Sequence, residues 1–281
     1  MICNWDCFIR LLPLWLRQEV DLKGRTCLLE LRLRVGLPPE LVCSKYTITL
    51  SRNISVDDIA FCINTASKYS PWSATTVSKG YITAPGGHRI GICGDAVISS
   101  GNMTGIRTPT MLCIRVARDF PGISQGIPIE NSSVLIIGRP GSGKTTLLRD
   151  LIRQQSNKQQ GSIGVVDERG ELFPTQNNNG FPTGPRTDVI SGCSKKNGIE
   201  LLLRCMGPTV IAVDEITSKE DCVTLLHAAW CGVNLFATAH AGSIEDLFSR
   251  PVYRPLLKQK IFNTLVIANP DKTWKLERTS L

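Results

Sequence analysis

Residues 138–145 read Gly-Arg-Pro-Gly-Ser-Gly-Lys-Thr, and this octet constrains the fold more tightly than any other stretch. Four apolar residues (134–137, Val-Leu-Ile-Ile) precede it as a predicted strand, and the residues after it open a predicted helix. A glycine-rich turn in that strand–turn–helix setting is a phosphate-binding loop, or P-loop. Its glycines let the backbone wrap an anion with N–H groups, and the helix N-terminus adds positive potential. Gly138, Arg139, Pro140, Gly141, Ser142, Gly143, Lys144, Thr145 and Thr146 are therefore the expected nucleotide-binding set. Lys144 would reach the β and γ phosphate oxygens and Thr145 would ligate Mg²⁺. A glycine-rich turn without a ligand is the bland alternative, and the flanking strand and helix argue against it.

Such a loop needs a second element to hold the metal and activate water. Residues 209–215 (Thr-Val-Ile-Ala-Val-Asp-Glu) supply one at the end of an apolar strand. Asp214 is the expected Mg²⁺ ligand, and Glu215 would orient or deprotonate the attacking water. P-loop proteins with this extra acid place a further strand between the P-loop strand and the metal-binding strand, and residues 235–237 are the candidate. His240 then lies at the end of that strand, placed to sense or polarise the γ-phosphate; a satisfied structural histidine is the competing reading. Residues 165–171 (Val-Val-Asp-Glu-Arg-Gly-Glu) end another strand on the same edge. Topology brings Asp167, Glu168 and Arg169 near the site, with surface salt bridging as the alternative.

The chain has 281 residues, 42% hydrophobic content and a net charge of +8, which fits a globular protein with one large core or two ordinary ones. Four short runs apolar on both faces (134–137, 163–166, 210–213, 235–237) alternate with helical segments after residue 131, as a buried parallel sheet requires. A fifth strand at 264–268 leads to a hairpin partner at 274–276. Before residue 121 the pattern changes to α+β. Leu29, Leu31, Leu33 and Val35 alternate with Glu30, Arg32 and Arg34. Ser55, Asp57 and Asp58 open an amphipathic helix, and short strands follow at 79–83, 89–93 and 112–116. The expected architecture is α/β: an N-terminal α+β domain (1–120), a Pro/Gly/Ser-rich linker (121–131), and a P-loop domain with a parallel sheet (132–281).

Fourteen basic and nine acidic residues precede Pro121, against 18 and 15 after it, so the smaller part is the more basic. This fits an anionic partner, or simply a solvated basic surface. No apolar run reaches the roughly 18 residues that span a bilayer, and residues 8–16 are broken by Arg10 and Pro13, so the expected location is cytoplasmic. The eleven cysteines are scattered and read as reduced thiols in apolar surroundings, Cys62, Cys205 and Cys222 among them; Cys3 and Cys7 have loose zinc spacing without a second pair.

Segments 134–153, 165–172, 202–216 and 238–241 resemble the type II and type IV secretion ATPase superfamily, which implies a RecA-like, secretion-ATPase-like fold for the P-loop domain. Glu168 falls at its acidic box and His240 at its histidine box. Segments 29–34, 79–83, 86–94 (Gly-Gly-His-Arg-Ile-Gly-Ile-Cys-Gly) and 114–118 further resemble the stage III sporulation protein AA family. That resemblance implies a Mg²⁺-dependent ATPase powering a channel between mother cell and forespore. It would act as a ring, a hexamer, in peripheral contact with the mother-cell side of the forespore membrane, beneath integral membrane components of the channel. Rings of this kind take a cation from outside the P-loop. Arg115 is the first candidate, with Arg118, Arg89, Arg32 and Arg34 behind it. Two departures stand out: Thr217 and Ser218 follow Ile216 where the superfamily carries Arg-Asp, and the acidic box reads Asp-Glu-Arg-Gly-Glu, leaving open whether Asp167 or Glu168 meets the water. A nucleic-acid-remodelling ATPase and a small-molecule kinase are the competing functions; no nucleic-acid motif is present, so nucleic acid is not an expected partner.

Overall fold

A computed structural model describes residues 1–67, 80–100, 102–158, 161–174 and 180–277. It divides into two compact units, Met1–Asp119 with Pro174–Phe181, and Phe120–Phe173 with Pro182–Leu281.

The first unit is built on a six-stranded antiparallel sheet. Its strands are β1 (Leu28–Arg34), β2 (Glu40–Cys43), β3 (Thr47–Thr49), β4 (Tyr81–Thr83), β5 (Arg89–Ser99) and β6 (Asn102–Arg115), in the order β3-β2-β1-β6-β5-β4. Helices α1 (Trp5–Arg10), α2 (Leu14–Gly24) and α3 (Val56–Ser67) contribute Phe8, Leu16, Val20, Ile59 and Cys62 to one core with Leu31, Leu33, Ile90 and Ile114 of the sheet. Alternation along β1 holds from Leu31 onward. Leu29, however, is exposed while Leu28 is buried, because the register against β2 shifts between Leu28 and Glu30. One extra residue in a ladder reverses the faces before it. At α3 the expected cap is reciprocal: the Ser55 hydroxyl accepts from the Asp58 N–H (3.1 Å), and the Asp58 carboxylate accepts from the Ser55 N–H (2.9 Å). The expected short strands at 89–93 and 112–116 are ends of one long β5–β6 hairpin, whose outer half is exposed and lacks an apolar alternation. Of the expected 79–83 strand, Tyr81–Thr83 is formed; Lys79 lies outside the described residues.

The Gly-Gly-His-Arg block has a structural explanation. Gly86 and Gly87 both have φ of 81°, and a Cβ on Gly86 would come within 2.7 Å of the Asn4 side chain. His88, fully buried, has Nε2 3.0 Å from the Asn4 carbonyl oxygen, while its Nδ1 accepts the Ala117 N–H at 3.2 Å. A neutral ring protonated on Nε2 satisfies both contacts and fastens the chain start and the end of β6 to the loop before β5.

The second unit holds a seven-stranded sheet of β7 (Val134–Gly138), β8 (Ile163–Asp167), β9 (Thr187–Ser191), β10 (Val210–Ile216), β11 (Asn234–His240), β12 (Thr264–Ala268) and β13 (Trp274–Glu277), in the order β13-β12-β7-β11-β10-β8-β9. All neighbours are parallel except the β12–β13 hairpin. β7, β8 and β12 are buried along their whole length, as double-sided packing demands. The helices are α4 (Lys144–Ser156), α5 (Lys195–Cys205), α6 (Lys219–Trp230), α7 (Ile244–Ser249) and α8 (Arg254–Lys258). β11 lies between β7 and β10, as the extra acid implied. β9 was not expected: Thr-Asp-Val-Ile-Ser is only half-buried at the sheet edge and has no apolar run to announce it. Cys205, expected in apolar surroundings, is exposed at the end of α5.

Residues 121–131, read above as a linker, are fastened to this second unit. The buried Asp150 carboxylate of α4 accepts the Gly122 and Ser124 N–H groups and the Ser124 hydroxyl at 2.7–2.9 Å, and Ile127 and Ile129 are buried. The Trp274 indole N–H donates to the Ile123 carbonyl at 2.7 Å. Side-chain capture of backbone donors substitutes for the secondary structure that Pro and Gly preclude. Among the described residues no helix is long and apolar enough to cross a membrane.

Burial pushes the His88 imidazole down to about 4, a charge from Arg118 adding to the effect against the favourable Asn4 contact. A histidine depressed on folding contributes fully above its unfolded value near 6.5, and that contribution is lost as pH falls toward 4, about 3 kcal/mol in all. In an NMR titration of the three histidines, one ring should therefore stay neutral down to pH 5 and its signal should vanish in His88→Gln. Three rings all titrating near 6.5 would contradict the pin.

Candidate active site

The octet leaves β7 at Gly138, and the chain turns back into α4 at Lys144. Gly141 (φ 74°) and Gly143 (φ 97°) hold left-handed backbone that side chains resist. At Gly138 a Cβ would meet the Ser142 hydroxyl at 2.4 Å and the Ala268 carbonyl of β12 at 2.7 Å, so close approach requires glycine there too. The Lys144 ammonium lies inside this turn, donating to the carbonyls of Gly138 (3.0 Å) and Arg139 (3.2 Å) and to His240 Nδ1 (3.0 Å). All three of its protons are thus directed at acceptors. Burial lowers its basicity, offset by the charges of Glu215 and Asp214.

β10 delivers its two acids through an irregularity. Val213 pairs with Ala237, but Glu215 pairs with Thr238, so Asp214 is the extra residue of a bulge against β11. In a regular strand consecutive side chains point to opposite faces; the bulge breaks that alternation and lets both acids serve one edge. Asp214 accepts from Thr238 Oγ1 at 3.2 Å and lies 3.4 Å from Thr145 Oγ1 through both carboxylate oxygens. The latter distance is long for a hydroxyl–carboxylate bond. Glu215 Oε1 accepts from His240 Nε2 at 2.7 Å. Because Lys144 donates to Nδ1, the proton of the ring lies on Nε2, and Lys144, His240 and Glu215 form a continuous chain across three strand ends.

The end of β8 separates the roles of its neighbouring acids. Asp167, 1% exposed, accepts the N–H groups of Glu171, Leu172 and Phe173 at 2.8–3.0 Å, while Arg149 donates to the carbonyls of Leu172 and Glu171. It is the internal scaffold of the turn. Glu168 has a half-exposed side chain whose carboxylate accepts from Lys195 at 2.8 Å. Thr145, Asp167, Glu168, Arg169, Asp214 and Glu215 line one cleft.

The donor set fits a magnesium nucleotide. Among the described residues the buried Ser142 hydroxyl has no hydrogen-bond partner, and Gly141 has open space where its side chain would be. Burial, together with the charges of Asp167 and Glu215, holds the Asp214 carboxyl above the usual range. A hydroxyl and a carboxylate too far apart to satisfy each other, among excess negative charge, form an oxygen-rich site suited to a hard divalent cation.

The sequence profile described as "Sporulation stage III, protein AA" matches residues 9–275. Stage III sporulation protein AA of Bacillus subtilis (strain 168) is 36% identical over 247 residues, which cover 83% of this chain and 80% of that protein. The chain belongs to the stage III sporulation protein AA family. Its fold is shared with an ATPase and a pilus motor of known structure. The Legionella pneumophila ATPase DotB aligns over 95% of this chain and 80% of its own at a TM-score of 0.57 and 16% identity. The pilus retraction motor PilT, solved with ADP, aligns over 90% and 76% at a TM-score of 0.61 and 16% identity.

For this member of the stage III sporulation protein AA family, Lys144, Thr145, Asp214, Glu215 and His240 converge in the second unit. Arg115 belongs to the first unit, where its exposed guanidinium pairs with Glu30 at 3.2 Å. Arg139, Pro140 and Gly138 also border a second cleft with His240, Ala241 and Asp246. Three further residues at the site were not expected from the sequence: Thr238, which donates to Asp214; Lys272, which donates to the Gly141 carbonyl from the β12–β13 turn; and Lys195, which donates to Glu168. A threonine beside His240 was visible, but a lysine in Cys-Ser-Lys-Lys-Asn or Pro-Asp-Lys-Thr reads as solvated charge.

The contrast between the two β8 acids is measurable. Asp167→Ala orphans three N–H groups, two of them buried, and should lower unfolding free energy by about 2–4 kcal/mol in urea titrations, while Glu168→Ala should stay within about 1 kcal/mol. Equal effects of the two substitutions would remove the scaffold assignment.

Proposed function

We propose that the chain is a Mg²⁺-dependent ATPase working as a secretion-type motor in sporulation. The observation that carries this reading is the convergence of Lys144, Thr145, Asp214, Glu215 and His240 at the carboxyl ends of β7, β10 and β11, beside a loop shaped for phosphate. Lys144 would exchange its carbonyl and imidazole partners for β- and γ-phosphate oxygens. Thr145 and Asp214 would hold Mg²⁺, which when bound neutralises charge on the phosphate oxygens. Glu215, oriented by His240, accepts a proton from water as the water oxygen bonds to the γ-phosphorus. The bond from phosphorus to the β–γ bridging oxygen breaks, leaving ADP and inorganic phosphate. His240 links the P-loop lysine to the base, so γ-phosphate contacts at one would be felt at the other.

By family analogy the motor is a ring, a hexamer, beneath integral membrane components of the channel between mother cell and forespore, with peripheral membrane contact on the mother-cell side. Arg115 is the proposed cation supplied from outside the P-loop. Nucleic acid gains no support: Arg32, Arg34 and Arg115 of the basic first unit are paired with Glu30 and Glu40.

Lys144→Ala should abolish binding of a fluorescent ATP analogue, whereas Glu215→Gln should bind it and hydrolyse ATP at least tenfold more slowly. Equal turnover by the Glu215 variant would remove the base. The rate per subunit, followed by phosphate release with mass from light scattering, should rise as the protein assembles. A flat rate from dilute to concentrated protein would argue against a ring.

A further inference from the structure

Lys195 is the first residue of α5, yet its side chain is only 7% exposed. A lysine at a helix start ordinarily faces water, and its charge is misplaced against the positive end of the helix dipole. Something must hold it there. Its ammonium is 2.8 Å from the Glu168 carboxylate, at the end of β8, and 3.7 Å from the Asp221 carboxylate, in the first turn of α6. Lys195 lines the same cleft as Thr145, Asp214 and Glu215.

Asp221 is itself a junction. One of its oxygens accepts the Thr217 N–H (2.8 Å), the Thr217 hydroxyl (3.1 Å) and the Ser218 N–H (3.1 Å), and the Ser218 hydroxyl accepts the Asp221 N–H in return. The loop that continues β10 beyond Glu215 is therefore fixed to the start of α6. Through Lys195 it is also joined to the end of β8. A buried cation flanked by carboxylates from two elements is held by both, and either carboxylate alone still offsets part of its charge.

We propose that Lys195 is a positioning residue that sets Glu168 against the Asp214–Glu215 edge of the cleft by tying it to the Asp221 junction. Lys195 touches neither nucleotide nor water in this role. It holds a half-exposed carboxylate, whose side chain would otherwise sample several rotamers, in one place. Glu168 is thereby available to the water that Glu215 activates. The inference rests on the ATP-hydrolysis reading and extends it to a residue that reading did not include.

The test is a double-mutant cycle on the full-length chain, with kcat and KM for ATP and the affinity for a fluorescent ATP analogue measured for Lys195→Met, Lys195→Arg, Glu168→Gln and the Lys195→Met/Glu168→Gln pair. Lys195→Met is expected to lower kcat at least tenfold with analogue affinity within twofold of wild type. The double variant should be no slower than the slower single variant, and Lys195→Arg should recover kcat to within about threefold. The analogue reports whether each variant still holds a formed site, and Lys195→Arg keeps the charge should the methionine variant fail to fold. Lys195→Met turnover within twofold of wild type, multiplicative losses in the double variant, or Lys195→Arg as slow as Lys195→Met would overturn the positioning role. A wild-type protein that binds the analogue and does not turn over ATP would overturn the hydrolysis reading, and this inference with it.

Discussion

The position of β11 between β7 and β10 is the constraint on which the site depends. Neighbouring strands lie about 4.8 Å apart, so the P-loop strand and the acid-bearing strand are held roughly 10 Å apart at their carboxyl ends. Groups on them can meet only by reaching over the end of β11. Lys144 does so from α4 and Glu215 from β10, and the side chain between them is His240 of β11 itself. Thr238 completes the bridge from the same strand to Asp214. A histidine and a threonine at the end of the inserted strand therefore join the P-loop side of the sheet to both β10 acids.

The second unit spends polar side chains on holding backbone in place around this edge. Asp167 organises the turn after β8, Asp150 captures residues 122–124 against α4, and Asp221 gathers the loop after β10. Each carboxylate accepts two or more backbone N–H groups in segments without secondary structure to satisfy them. The consequence is a sheet edge whose loops are short of freedom, with Glu168, Glu215 and Lys144 presented from anchored backbone. Preorganisation of this sort is what the proposed ATP hydrolysis would require for charge stabilisation.

The first unit follows a different logic. Its most recognisable block, Gly-Gly-His-Arg, is accounted for by geometry: two left-handed glycines allow His88 to enter the core and join Asn4 to Ala117. Arg89, the remaining member, stacks its guanidinium 4.5 Å from the Tyr81 ring. A motif that marks a family can thus reflect a packing solution as well as chemistry.

The sequence by itself determined the parallel sheet, the phosphate loop, the inserted strand and the identities of Lys144, Thr145, Asp214, Glu215 and His240. Those features are local: apolar runs encode buried strands, glycine spacing encodes a tight anion-binding turn, and acids at strand ends share one edge by topology. Tertiary structure alone decided which β8 acid is buried scaffold and which is half-exposed and paired with Lys195, because neighbouring acids in one sequence run do not record what surrounds each. It also decided that residues 121–131 are anchored, that a half-polar edge strand β9 exists, that a bulge brings Asp214 and Glu215 to one side, and that Lys195 is buried. Each depends on a partner distant in the chain, such as Asp150 for Gly122 or Glu168 for Lys195, and no periodicity near a residue records what it will meet across a sheet edge.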